Sequence, residues 1–364
     1  MTRLSLYLLI VALTLPLRGV SQNQQQLPAE SSAQPGDITI GLLLPDHTQT
    51  GVIAAAELAI DRTNTAGGYM GREFRLVVRT AEGFWGAGSK ESVSLVYEDH
   101  VRAIIGSLDG RNGHLAEQVA TKSHLTYIET FATEPTLSQA FVPWFMRVVP
   151  NDNQQSATIL DQIKSEGGGT IGILSTEAYD TRYAVRSLAK AVAGKTGMPP
   201  QVFDLETTTI HQKEIIEKIL SSEIKHLVLP FDAAYLKELI ISLRQVRPSL
   251  KIYGTLHFTM GIESRKSGWD AYEGVYILGP RFDREKYTSL PDSRSVYMYD
   301  AVNLVINAIQ KAGTDRVAIT DYISESVYSR GITGNISFDE LGNRQGASTL
   351  LRIQNGLPIL IKHP

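Results

Sequence analysis

Residues 37–45, DITIGLLLP, form a mostly apolar run that stops at a proline. A strand without polar alternation is buried on both faces, as strands of parallel sheets are. The following stretch, AAAELAIDRTN, puts Ala55, Leu58, Ala59 and Arg62 at helical spacing. Strand-like and helix-like segments then alternate through EFRLVVRT, SKESVSLVYED, VRAIIGS, HLAEQVATKS and LTYIET. This is the alternation of βα units, and it predicts a parallel sheet with helices on both faces.

The pattern restarts at residue 169. GTIGILS echoes ITIGLLL, and RYAVRSLAKAVAG, QVFDLE, KEIIEKILSS, KHLVLPF, AYLKELIISLRQV and LKIYGT continue the alternation until GVYILGP. A long helix, SVYMYDAVNLVINAIQKAG, and a shorter one, RVAITDYISESVYS, follow. The last segment, NISFDELGNRQGASTLLRIQNGLPILI, reads as two strands around an Asp-Glu-Leu-Gly-Asn turn. The expected fold is α/β, with two doubly wound parallel-sheet lobes.

Composition narrows the function. Arg3 followed by an apolar run over residues 4–17, with Gly19, Val20 and Ser21 after it, reads as a signal peptide at residues 1–21, cut after Ser21. The run is too short for a membrane span, which needs about 20 apolar residues. The chain has no cysteine, so no lipid anchor of the bacterial lipoprotein kind is expected. Residues 22–36, QNQQQLPAESSAQPG, are polar and of low complexity and are expected to be a disordered leader. The protein is therefore expected to be exported to the periplasm. Its formal charge of −3 and lack of basic runs disfavour nucleic acid and anionic membrane as partners. A chain of 364 residues with 43% hydrophobic residues can build two cored domains without disulfides.

Little in the sequence suggests catalysis. GGGTIG at residues 167–172 matches a dinucleotide fingerprint in letters only, because it follows a helix and opens a strand. GSLDG at residues 106–110 sets a serine near an aspartate, but no local histidine could act as base. The eight histidines are scattered, and no His or Cys cluster has metal-ligand spacing. No enzyme, cofactor or metal is expected. GSLDG does sit at the carboxyl end of a strand, where open parallel sheets bind ligands.

The segments ITIGLLLP, AAAELAIDRTNTAGG, VRAIIGSLDG, TFATEPTLS, FMRVVPNDNQQSATIL, VYMYDAVNLVINAIQKAG and ISFDELGNRQGASTLLRIQNG, in this order and spacing, resemble type I periplasmic binding proteins of the Leu/Ile/Val-binding kind. That resemblance implies two lobes joined by a three-crossing hinge: residues 37–149 with 280–348, and residues 150–279 with 349–364. It implies a monomer that closes over a small-molecule ligand and hands it to an ABC permease. Ligand sensing without transport is the alternative the same fold allows.

The resemblance also implies the site. Ser107, Asp109 and Gly110 of the first loop and Ala132 and Thr133 of TFATEP would hold the ligand's polar end. Tyr179, Asp232 and His257 would close on it from the other lobe. The bland roles stand beside these: Asp109 suits a turn, Thr133 a cap before Pro135, and Tyr179 a helix surface. Two departures matter. Gly110 stands where amino-acid binders carry a hydroxyl, and Leu256 and His257 stand where they carry the acid that receives the ligand ammonium. The expected ligand is polar or carboxylate-bearing and lacks a free ammonium group. The loop PDHTQTG is short, so part of the usual ligand wall is expected to be missing.

Overall fold

The apolar runs become the buried strands. The computed structural model describes residues 36–83, 86–205, 209–260, 267–346 and 348–361. The expected signal peptide, all but the last residue of the leader, and Trp85 lie outside them. Strands β1 (Ile38–Leu44), β2 (Phe74–Thr80), β3 (Ala103–Gly106), β4 (Thr126–Glu129) and β5 (Phe145–Arg147) form one sheet in the order β2-β1-β3-β4-β5, parallel throughout. Central β3 and β4 are buried at every residue, whereas edge strand β2 is half-exposed along most of its length.

Helices α1 (Thr50–Thr65), α2 (Ala87–Tyr97) and α3 (Gly110–Ser123) alternate with these strands. A second layer sequence follows: α4 (Asp152–Ser165), β6 (Ile171–Ser175), α5 (Tyr179–Thr196), β7 (Gln201–Asp204), α6 (Thr209–Ser221), β8 (His226–Leu229), α7 (Lys237–Val246), β9 (Lys251–Gly254) and β10 (Tyr276–Leu278). The chain then adds α8 (Ser293–Ala312) and α9 (Arg316–Glu325) to the first sheet, and β11 (Leu350–Gln354) and β12 (Leu357–Leu360) to the second. The second sheet runs β12-β11-β10-β9-β8-β6-β7. The chain thus passes between the two lobes three times.

Each sheet is covered on both faces. Residues of α1, α8 and α9 pack on one face of the first sheet, and residues of α2 and α3 on the other. In the second lobe, α4 and α5 cover one face, and α6 and α7 the other. The closing hairpin differs from the sequence expectation. Its two antiparallel strands turn at Asn355 and Gly356, both at positive φ (53° and 67°), the backbone an Asn-Gly hairpin turn requires. The Asp-Glu-Leu-Gly-Asn segment instead makes one isolated antiparallel bridge, Phe338 to Arg344. The Asp339 carboxylate ties that segment into a turn by accepting the Leu341 and Asn343 N–H groups at 3.0 and 2.8 Å.

In both sheets the strand order reverses beside the first strand of the lobe: between β1 and β3, and between β6 and β8. The carboxyl ends of these four strands lead into the loops that build the site.

Candidate functional site

β3 ends at Gly106, where φ is +137° and a Cβ would fall 2.0 Å from the Leu43 carbonyl oxygen. Only glycine lets the strand end lie this close to β1. The chain then turns through Ser107 to Asp109, which caps α3. One Asp109 oxygen accepts the Asn112 N–H at 2.9 Å and the other accepts the Asn112 side-chain amide at 2.9 Å. This satisfies one of the orphan donors of the first helical turn. Burial raises the Asp109 pKa above the ordinary carboxylate value.

β4 ends at Glu129, which is fully buried. Its Oε1 accepts the backbone N–H groups of Thr130, Phe131 and Ala132, each at 2.9 Å, and that of Leu108 at 3.3 Å. Its Oε2 accepts the Ser107 N–H at 3.0 Å and the Tyr127 hydroxyl at 2.5 Å, with the Ser107 hydroxyl 3.1 Å away. Burial raises the Glu129 pKa, and these donors oppose the rise by favouring the charged form. The groups expected to hold a ligand acid are thus engaged by the chain's own acid. Ser107 and Ala132 are completely buried and brace Glu129 rather than facing a cavity.

The TFATEP loop is held from its other side as well. The buried Arg147 guanidinium donates to the carbonyls of Ala132 (3.2 Å) and Glu134 (2.7 Å), to Ser138 Oγ (3.1 Å) and to Asn343 Oδ1 (3.1 Å). Thr133 is engaged too. Its carbonyl accepts the Asp152 N–H at 2.8 Å and its hydroxyl hydrogen-bonds the Asp152 carboxylate. Burial pushes Asp152 up to about 6 in spite of that bond.

Gly110 and Tyr179 join the lobes. The Gly110 N–H, at the first position of α3, donates to Asp180 Oδ1 of α5 at 2.9 Å. The Arg111 guanidinium lies 5.3 Å from the centre of the Tyr179 ring, a cation–π contact across the same seam. Tyr179 also packs against Tyr183. Burial, with Glu134 nearby, pushes Asp180 up to about 6 against the bond from Gly110.

Between the lobes lies a cavity of about 990 Å³. Its walls come from the loops at the two switch points: Asp46 and Gln49 after β1, Leu108 and Asp109 after β3, Thr176 and Glu177 after β6, and Phe231 and Asp232 after β8. Asp109, Asp232 and His257 are the sequence candidates that line it. Asp232 also caps a short turn by accepting the Ala234 N–H at 2.8 Å. His257 is buried, which lowers its pKa, and its Nε2 lies 3.3 Å from the Phe131 carbonyl oxygen. The short PDHTQTG loop does supply wall, through Pro45, Asp46 and Gln49.

The charge of the cavity was not foreseen. Asp46, Asp109, Glu177, Asp180, Asp204 and Asp232 all line it, against one guanidinium, Arg294. That guanidinium is itself committed, donating to Gln49 Oε1 and Asp292 Oδ2, each at 2.9 Å. Hydrogen bonds from Thr48 lower the Asp46 pKa and keep it ionised. The rest of the wall is apolar and aromatic, with Phe231, Tyr235, Leu205 and Met260. Sequence reasoning could have found Asp46, Glu177 and Phe231 by reading every strand end as it read β3. Among the described residues no group of three or more His, Cys, Asp or Glu could hold a metal ion. No helix of the described residues is long and apolar enough to cross a membrane.

With this geometry in place, the chain can be compared with known proteins. A family model described as "Periplasmic binding protein" matches residues 37–356. Among solved structures, the branched-chain amino acid transporter substrate-binding protein LivJ of Streptococcus pneumoniae, in complex with isoleucine, is 20% identical. Its TM-score is 0.71, covering 90% of this chain and 100% of that one. A solute-binding protein of an ABC transporter from R. palustris, in complex with benzoate, is 15% identical with a TM-score of 0.75, covering 90% and 96%. At these identities the likeness is one of fold. Among curated proteins, Glutamate receptor 3.7 of Arabidopsis thaliana is 34% identical over 70 residues, and Glutamate receptor 3.1 of rice 26% identical over 160. These matches span 8% and 17% of the receptors' lengths.

Proposed function

The chain belongs to the periplasmic binding protein family, and from that premise we propose that it is an extracytoplasmic solute-binding protein whose cleft captures a small cationic ligand for an ABC permease. The observation that carries the ligand class is the lining of six carboxylates against one committed guanidinium. Carboxylates that outnumber guanidinium groups in a recess attract positive charge and raise its local concentration. The aromatic and aliphatic wall suits the apolar part of an amine or guanidine. On this reading the ligand carries a cation after all: Leu256 is core, but Asp232 and Glu177 in neighbouring loops and Asp204 at the end of β7 line the cavity. Two lobes on three crossings fit hinge closure, with ligand shifting the population toward the closed form.

The test is thermal unfolding and small-angle scattering with putrescine, agmatine, choline, L-leucine and benzoate. A specific ligand at a hundredfold excess over Kd stabilises by about 2.7 kcal/mol. The expected outcome is a raised midpoint and a smaller radius of gyration with one of the cations. Stabilisation by leucine or benzoate, with none from the cations, would reverse the ligand class. Ligand sensing is the second reading, favoured by the partial similarity to plant glutamate receptors. Recovery of an ABC permease with the protein from solubilised membranes decides for transport.

A further inference from the structure

The N-terminus of a helix, with its free N–H groups and positive dipole end, is a natural seat for an acid. In this protein that seat at α3 is filled from the opposite lobe. Asp180 Oδ1 accepts the Gly110 N–H at 2.9 Å, and Asp109 takes the Asn112 N–H. The neighbouring loop donors point at Glu129. A second buried carboxylate crowds the same end: a Cβ built on Gly110 would lie 2.8 Å from Glu134 Oε2 and 2.9 Å from Asp180 Oδ1. Glu134 is 1% exposed, and this oxygen has no hydrogen-bond partner. Glu134 is balanced by His114, which contacts its Oε1, so what an incoming acid meets at this helix end is an occupied donor, the Gly110 N–H already taken by Asp180. Gly110 is the residue that makes room for both, since any side chain there would expel one of them.

We propose that Asp180 is a specificity-determining residue: its carboxylate takes the acid seat of the cleft at the N-terminus of α3 and so excludes ligands, free α-amino acids among them, that depend on placing their own carboxylate there. This rests on the reading of the cleft as a cation binder and deepens it. The cleft's other acids select for positive charge, and Asp180 selects against negative charge at one end. Asp180 differs from Glu129 in being replaceable. It comes from the second lobe and holds one N–H at the seam, whereas Glu129 holds five at the base of two loops.

The experiment titrates wild type, Asp180→Ala and Asp180→Asn with L-leucine and with benzoate by calorimetry. Melting curves without additive confirm that each variant folds. A hydrogen bond to a charged ligand is worth tenfold or more in affinity. Asp180→Ala is expected to bind at least one of the two acids at least tenfold more tightly than wild type. Asp180→Asn, which keeps an acceptor for Gly110 but loses the charge, is expected to fall between. Equal affinity in wild type and Asp180→Ala, including no binding by either, overturns the proposal. Failure of the cation reading appears separately, as absent stabilisation of the wild type by amines and guanidines.

Discussion

His114 is the residue whose chemistry most clearly outruns its sequence context. On α3 its Nε2 contacts Glu134 Oε1 and its Nδ1 lies 3.6 Å from Glu117 Oε2. Hydrogen bonds to Glu117 and Glu134 raise its pKa to about 9. A folded-state pKa above the ordinary 6.5 means the stabilisation is complete below about pH 6.5 and is lost as pH rises through about 9. The shift corresponds to as much as ~3 kcal/mol. The melting temperature should therefore fall between pH 6.5 and 9, and His114→Gln should flatten that decline. Parallel slopes in parent and variant would assign the dependence elsewhere. Glu117 lies one helical turn on and is legible from the i, i+3 spacing, but Glu134 reaches His114 only when TFATEP folds back on α3. The same reason hid the fate of Ser107, Ala132 and Thr133. Their types suit anion binding, but a one-dimensional reading cannot see that Glu129 and Asp152 arrive first. Asp109, Asp232 and His257, which line the cavity, follow strand ends, and strand ends are legible.

The helices and strands were easier to read than the turns between them. Long apolar runs such as Ile38–Leu44 have one stable outcome, a strand buried on both faces. The final hairpin shows the opposite case. Several turn-forming residues compete between positions 339 and 356, and only the side chains' partners decide among them. Gly356 carries φ +67°, and a Cβ there would meet Asp270 Oδ1 at 2.1 Å. Gly356→Ala should cost at least the left-handed penalty of about 1–2 kcal/mol. Urea unfolding should give a lower midpoint with an unchanged slope. An unchanged midpoint would mean that the hairpin turns without help from this residue.

For the molecule as a whole, two sheets and their helices could be read from the repeat of the βα pattern, while the charge of the cleft could not. Its six acids come from loops, the end of β7 and the start of α5, far apart in the chain, and only Glu177 and Asp180 lie within one helical turn of each other. The same interleaving has a consequence for how the protein comes into being. The first sheet is laid down by residues 38–147, but the face that carries α1 is covered by α8 and α9, which follow the whole of the second lobe. Val296, Met298, Val302, Val305 and Ile309 of α8 are all buried against that core. A nascent or translocating chain must therefore carry an uncovered apolar face for most of its synthesis. Contacts of such long sequence separation also form slowly. A fragment of residues 37–149 should show no cooperative unfolding transition and should aggregate, whereas adding residues 280–348 as a separate chain should restore one. Cooperative melting of the short fragment alone would show that the lobe does not wait. If it does wait, truncations that keep α8 and truncations that stop before it should differ sharply in yield.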